Sequence, residues 1–170
     1  MIEEKFEELA EKYEGRYTFH EIEHRGPGLR KFSVEYYQLK LEYMACPIHI
    51  KFEFGNFNLA HVTCVLDAKR SFPDFQIERM GHFIQLFKRG KQPWKVHVKD
   101  PMLEQKLLHL LTASGLDEVA RKTAFEPEIS GKREAAEYTL NTRFYLGFDD
   151  KEHSAQPLIE FYRGVIDLAL

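Results

Sequence analysis

Apolar residues open the chain at helical spacing, at Ile2, Phe6, Leu9 and Tyr13, with Glu3, Glu4, Glu7, Glu8 and Glu11 between them. This spacing predicts a helix with one buried face, stopped at Gly15. The early glutamates suit the positive end of the helix dipole and form its solvated side. From Arg16 to Arg25 the pattern predicts a short strand, and Gly26-Pro27-Gly28 breaks it. Phe32 to Met44 alternates as a long strand. Its apolar set changes parity from Phe32, Val34 and Tyr36 to Tyr37, Leu39, Leu41 and Tyr43, which predicts a β-bulge near Tyr36-Tyr37.

Pro47 to Asp67 reads as a hairpin turning at Gly55-Asn56. A two-residue turn there pairs Phe54 with Phe57, Phe52 with Leu59, Ile50 with His61 and Ile48 with Thr63. That face is apolar and belongs on the core, which makes His61 a core histidine. The opposite face carries His49 together with Cys64 and leaves Cys46 on the other side, so direction alone disfavours a disulfide.

Further on, Phe75 to Arg79 and Phe83 to Phe87 predict short strands around Gly81, with a turn from Lys88 to Pro93. Trp94, Val96 and Val98 then alternate with Lys95, His97 and Lys99 in another strand. Asp100-Pro101 is a helix start, with an N-cap residue followed by proline at the first helical position. Leu103, Leu107, Leu110 and Leu111 make the buried face. Ser114 with Asp117 resembles a capping box for a second short helix. Phe125 to Ile129, a turn at Ser130-Gly131-Lys132, and Glu134 to Phe148 predict a second hairpin. Its long arm buries Ala136, Tyr138, Leu140, Phe144, Leu146 and Phe148. Pro157 to Leu170 closes the chain with an amphipathic helix.

The order predicts an α+β fold over 1–170 as a single domain: a mainly antiparallel sheet of about six to nine strands with an N-terminal helix, two consecutive central helices and a C-terminal amphipathic helix. Aromatics at 14% supply enough buriable surface to exclude disorder over most of the chain. A net charge of −3 gives no global electrostatic case for nucleic acid or an anionic membrane. Two cysteines are too few for a disulfide scaffold. The start lacks a basic, then apolar leader, and no apolar run approaches the ~20 residues that span a bilayer. A soluble, reducing, cytoplasmic setting is therefore expected.

Two constellations point to an enzyme. His20-Glu21-Ile22-Glu23-His24 satisfies H-E-x-x-H, in which a helix sets two histidines on one face of a zinc ion and the glutamate activates water. Here the residues before it make no helical stripe, and Gly26-Pro27-Gly28 ends any helix at once. In a strand, His20 and His24 share a face but lie ~13 Å apart. His49 and Cys64 form the second, either as two metal ligands or as a base and its nucleophile. Neither has its required context, so no metal and no cofactor is expected.

Tyr36, Tyr37, Tyr43 and Tyr145 are candidates for an interface or pocket lining. Lys88, Arg89, Lys91, Lys95 and Lys99 form a basic run near Trp94. Trp94 alternates with the lysines, so they lie on the solvent side of the strand. The leading expectation is a non-catalytic binding or protein-interaction domain, with a protein partner or self-association. A metal-dependent or cysteine/histidine enzyme is the alternative. Anion or nucleic-acid binding through 88–99 is the second alternative.

Overall fold

The computed structural model describes residues 1–79 and 93–170. Among these residues the chain forms helix α1 (Ile2–Lys12), then strands β1 (Arg16–Arg25), β2 (Lys31–Tyr43), β3 (Cys46–Phe54), β4 (Leu59–Leu66), β5 (Phe75–Arg79) and β6 (Trp94–Val98). Helices α2 (Pro101–Ala113) and α3 (Leu116–Lys122) follow, then β7 (Glu128–Glu134), β8 (Glu137–Tyr145) and helix α4 (Ala155–Ala169). Short 3-10 turns at Pro27–Leu29 and Lys151–Ser154 complete the chain. The expected α+β class holds. The strands form one antiparallel sheet of eight, in the order β1-β2-β3-β4-β8-β7-β5-β6. The expected strand at Phe83–Phe87 and turn at Lys88–Pro93 lie largely outside the described residues.

One row of side chains shows how the core is built. Tyr17, Leu39, Ile50, Val62, Thr142, Ile129, Ile77 and Val96 follow one another directly across the eight strands. Side chains alternate along a strand, so this row sets the face that meets the helices. Phe6 of α1 stands edge-on to Phe52 at 5.0 Å and to Tyr17 at 6.1 Å. Tyr162 of α4 is fully buried. Its hydroxyl donates to the Val62 carbonyl at 2.8 Å and meets the Thr142 hydroxyl at 2.9 Å, so a buried polar pair is satisfied inside the apolar layer. Asp100 caps α2 as expected, accepting the Met102 amide at 2.9 Å.

Several expectations fail, and each failure has a local cause. The registers of β1 with β2 and of β2 with β3 run unbroken, so there is no bulge at Tyr36-Tyr37. The parity change arises because each face of β2 is covered over a different stretch: Val34 is buried on one, Leu39 and Leu41 on the other. The strand from Arg16 is long rather than short, because β2 pairs with it over all ten residues.

The Pro47–Asp67 hairpin turns through Gly55–Asn58 rather than through two residues. Asn58 takes a left-handed backbone, and its side-chain oxygen accepts the Gly55 amide at 3.0 Å. The pairing therefore shifts by one: Ile48 meets Cys64, Ile50 meets Val62 and Phe52 meets Ala60. A one-residue shift exchanges the faces of the whole strand. At the second hairpin the turn falls at Ala135-Ala136, with Ala135 at φ 54, and Ala136 is exposed rather than buried. Helix α3 is entered through Gly115, with φ 88 and no side-chain cap. Asp117 is instead bound by the Trp94 ring nitrogen at 3.1 Å and Arg121 at 2.9 Å.

Candidate functional site

The H-E-x-x-H residues lie on β1, an edge strand. His20 sits opposite Tyr36, Glu21 opposite Glu35 and His24 opposite Phe32. His24 stacks on the Phe32 ring at 5.3 Å. The strand holds the two histidines about 13 Å apart at its ordinary rise, too far to share a metal. The hairpin shift dissolves the second constellation. His49 points to the exposed face, while Cys64 is buried on the helix face. Cys46 is buried on that same face, which corrects the expected separation of the cysteines. Burial, then the neighbouring Cys46, pushes the Cys64 thiol up to about 12, far from a reactive thiolate.

The four tyrosines reach three different places. Tyr36 lies on the exposed sheet face, with Lys51 stacked 4.2 Å above its ring. Tyr37 faces the other way, between Phe19 and Phe54, and donates to Glu35 at 3.0 Å. Burial and that hydrogen bond push its hydroxyl up to about 12. Tyr43 faces α4 and donates to Asp167 at 2.9 Å. Tyr145 stands on the exposed face with 73% of its surface free. Of the basic run, Lys95 and Lys99 are exposed, Trp94 is buried opposite them, and Lys88, Arg89 and Lys91 lie outside the described residues. Asp150, Glu152 and His153 converge within 4.8 Å on a solvent-facing turn.

The feature the sequence hid is a second row, on the face away from the helices. The same registers place Arg16, Lys40, His49, Thr63, Asn141, Ser130, Gln76 and His97 in line, one from each of the eight strands. At about 4.8 Å between strands the line runs roughly 34 Å. It contains no acid. Of the acids of this face, Glu42, Glu78 and Glu128 sit in the rows directly beside it, and Glu53, Glu134 and Glu137 lie one row further out. Among the described residues only Gln76 of the eight makes a side-chain hydrogen bond, to Glu78 at 2.7 Å. The rest present unspent donors and acceptors to solvent.

The adjoining row holds Lys51, His61 and Arg143 side by side on β3, β4 and β8. Arg143 reaches Glu128 at 3.0 Å, and Lys51 lies 3.8 Å from Glu53. His61 and Arg143, with Asn141, Ser130, Gln76 and Lys132, line a hollow of about 260 Å³. Sequence alternation puts His61 in the core only under the wrong register. In place, partial burial and the flanking Arg143 and Lys51 hold its imidazole below the usual 6.5. The unfolded chain therefore takes up this proton first as pH falls. The stability His61 contributes is complete above about pH 6.5 and is lost as pH drops below it. In thermal denaturation, the midpoint should fall between about pH 7.5 and about pH 5.5 by more in the native protein than in His61→Gln. Equal falls would assign the slope to other groups.

Comparison with family models, curated proteins and solved structures finds no match to this chain in any of the three.

Proposed function

We propose that this protein is a non-catalytic interaction domain whose uncovered sheet face docks a partner protein with an acidic, polar surface. The observation that carries the reading is the acid-free row from Arg16 to His97. It crosses all eight described strands, and among the described residues every member but Gln76 lacks a side-chain hydrogen bond. Interfaces combine polar contacts with a few aromatic anchors. The same face offers such anchors at one margin, where His20, Tyr36, Glu53, Leu59 and Tyr145 form a further cross-strand row. Phe57, at the hairpin loop beside them, is 67% exposed. Arg16 and Lys40 at one end, with the histidines along the row, favour negative charge on the partner. A rigid sheet holds all these groups without an ordering cost at the moment of binding.

Poly-L-glutamate serves as the probe for an acidic polypeptide, followed by fluorescence anisotropy at low salt. The native protein should bind it, and the double variant Arg16→Glu/Lys40→Glu should bind at least about tenfold more weakly. Tyr145→Ala should also weaken binding. Equal binding by the charge-reversed protein would sink the reading. So would tighter binding of heparin or single-stranded DNA than of poly-L-glutamate, which would transfer the face to the polyanion class.

A further inference from the structure

On the opposite side of the sheet from that face, the end of α1, strands β2 and β3, and helix α4 enclose a cavity of about 310 Å³. Its floor is apolar: Leu41, Ile48 and Ile159 are all buried. Its walls are the rings of Tyr13 and Tyr43. Arg163 of α4 reaches between them, with its guanidinium carbon 4.4 Å from the Tyr43 ring centre and 5.5 Å from that of Tyr13. Lys12 stands 5.2 Å from the Tyr13 ring. Both hydroxyls are tied to α4, Tyr13 to Glu160 and Tyr43 to Asp167. Burial and then the Glu160 hydrogen bond raise the Tyr13 hydroxyl, and the Asp167 hydrogen bond raises that of Tyr43, so neither ionises at neutral pH.

The guanidinium is packed between the two rings and paired at long range with Glu160, which leaves most of its fork without a close acceptor. It has five N–H donors in a planar fork. Among the described residues it donates one hydrogen bond within 3.5 Å, to Glu160, and Glu160 also accepts from the Tyr13 hydroxyl. A stacked arginine with most of its fork left over is suited to a carboxylate, which takes two parallel N–H bonds. The volume lies at the lower end of the range for small-molecule sites. Glu14, Glu42 and Glu160 in the lining oppose a second negative charge. An apolar floor beneath a cationic fork asks for one anionic group on an apolar body.

We infer that this cavity binds a small monocarboxylate, its carboxylate on the fork of Arg163 and its apolar part on Leu41, Ile48 and Ile159. The inference is independent of the sheet-face reading, since the cavity lies between the sheet and the helices, on the other side of the sheet. Saturation-transfer NMR and calorimetry on the full chain test it with four probes: 4-methylpentanoate, benzoate, 4-methylpentanamide and inorganic phosphate. The two carboxylates should bind, and the neutral amide should bind at least about tenfold more weakly than its acid. Arg163→Lys should lose a similar factor because it keeps the charge and loses the fork. Arg163→Met should abolish binding, with its helical circular dichroism retained. Equal binding of acid and amide would overturn the inference, as would unchanged binding in Arg163→Met or no binding of either carboxylate. Tighter binding of phosphate than of benzoate would overturn the monocarboxylate assignment. Should an Arg163 variant fail to fold, the acid-against-amide comparison in the native protein decides alone.

Discussion

Gly55→Ala should destabilise the protein by about 2–4 kcal/mol, read as a lower urea midpoint at unchanged slope. Two costs add. Gly55 has φ +95, a backbone region that a Cβ disfavours. A Cβ there would also run into the Ser33 carbonyl and press on the Val34 backbone of the neighbouring strand. Neither obstacle is a flexible side-chain end, so β2 or the loop has to move. Asn56→Ala, one residue on in the same exposed loop, should change stability by no more than about 0.5 kcal/mol. Equal effects from the two substitutions would show that the loop is free of β2.

Phe144→Ala should cost about 3–5 kcal/mol, a large part of the stability of a domain this size. Phe144 is buried on β8 and stands at the meeting point of three rings: Phe125 at 4.9 Å, Phe52 at 5.9 Å and Phe148 at 6.3 Å. Those neighbours come from β3, from the segment before β7 and from the segment after β8. Removing the ring leaves a void that no single element can close. The thermal midpoint should drop by roughly 6–20 °C, with a smaller drop for Phe144→Leu. A drop equal to that of an exposed substitution such as Tyr145→Ala would refute the packing account.

Helices and strand identities were legible because their signals are local. Asp100-Pro101 marks a helix start whatever surrounds it, and Ile2, Phe6 and Leu9 define a face by spacing alone. Trp94 inward with Lys95 outward follows from alternation within a single strand. Register was not legible, because it depends on partners. Whether the hairpin turns in two residues or four is decided by Asn58 closing on Gly55 and by the Ser33 carbonyl beneath it. That one choice moved His61 from the core to the exposed face and Cys64 from beside His49 into the interior. Gly131 misled for the same reason. It looks like a turn residue, yet it sits within β7 because Phe75 and the Tyr138 hydroxyl leave no room for a side chain. The acid-free row was out of reach altogether. Its eight members are scattered from Arg16 to Asn141 and meet only through seven correct registers.

The strand order also bears on how the chain acquires its structure. Strands β1, β2 and β3 each pair with the next strand in the sequence, so a few short loops assemble β1 to β4, half of the sheet. The seam at the centre is different, because β4 pairs with β8. Closing it joins segments roughly 70 residues apart where the β3–β4 loop spans about four, an added chain-entropy cost of about 2–3 kcal/mol. The last strand thus lies in the middle of the sheet, and a chain emerging from the ribosome can complete its first four strands long before the segment that joins the two halves has been made.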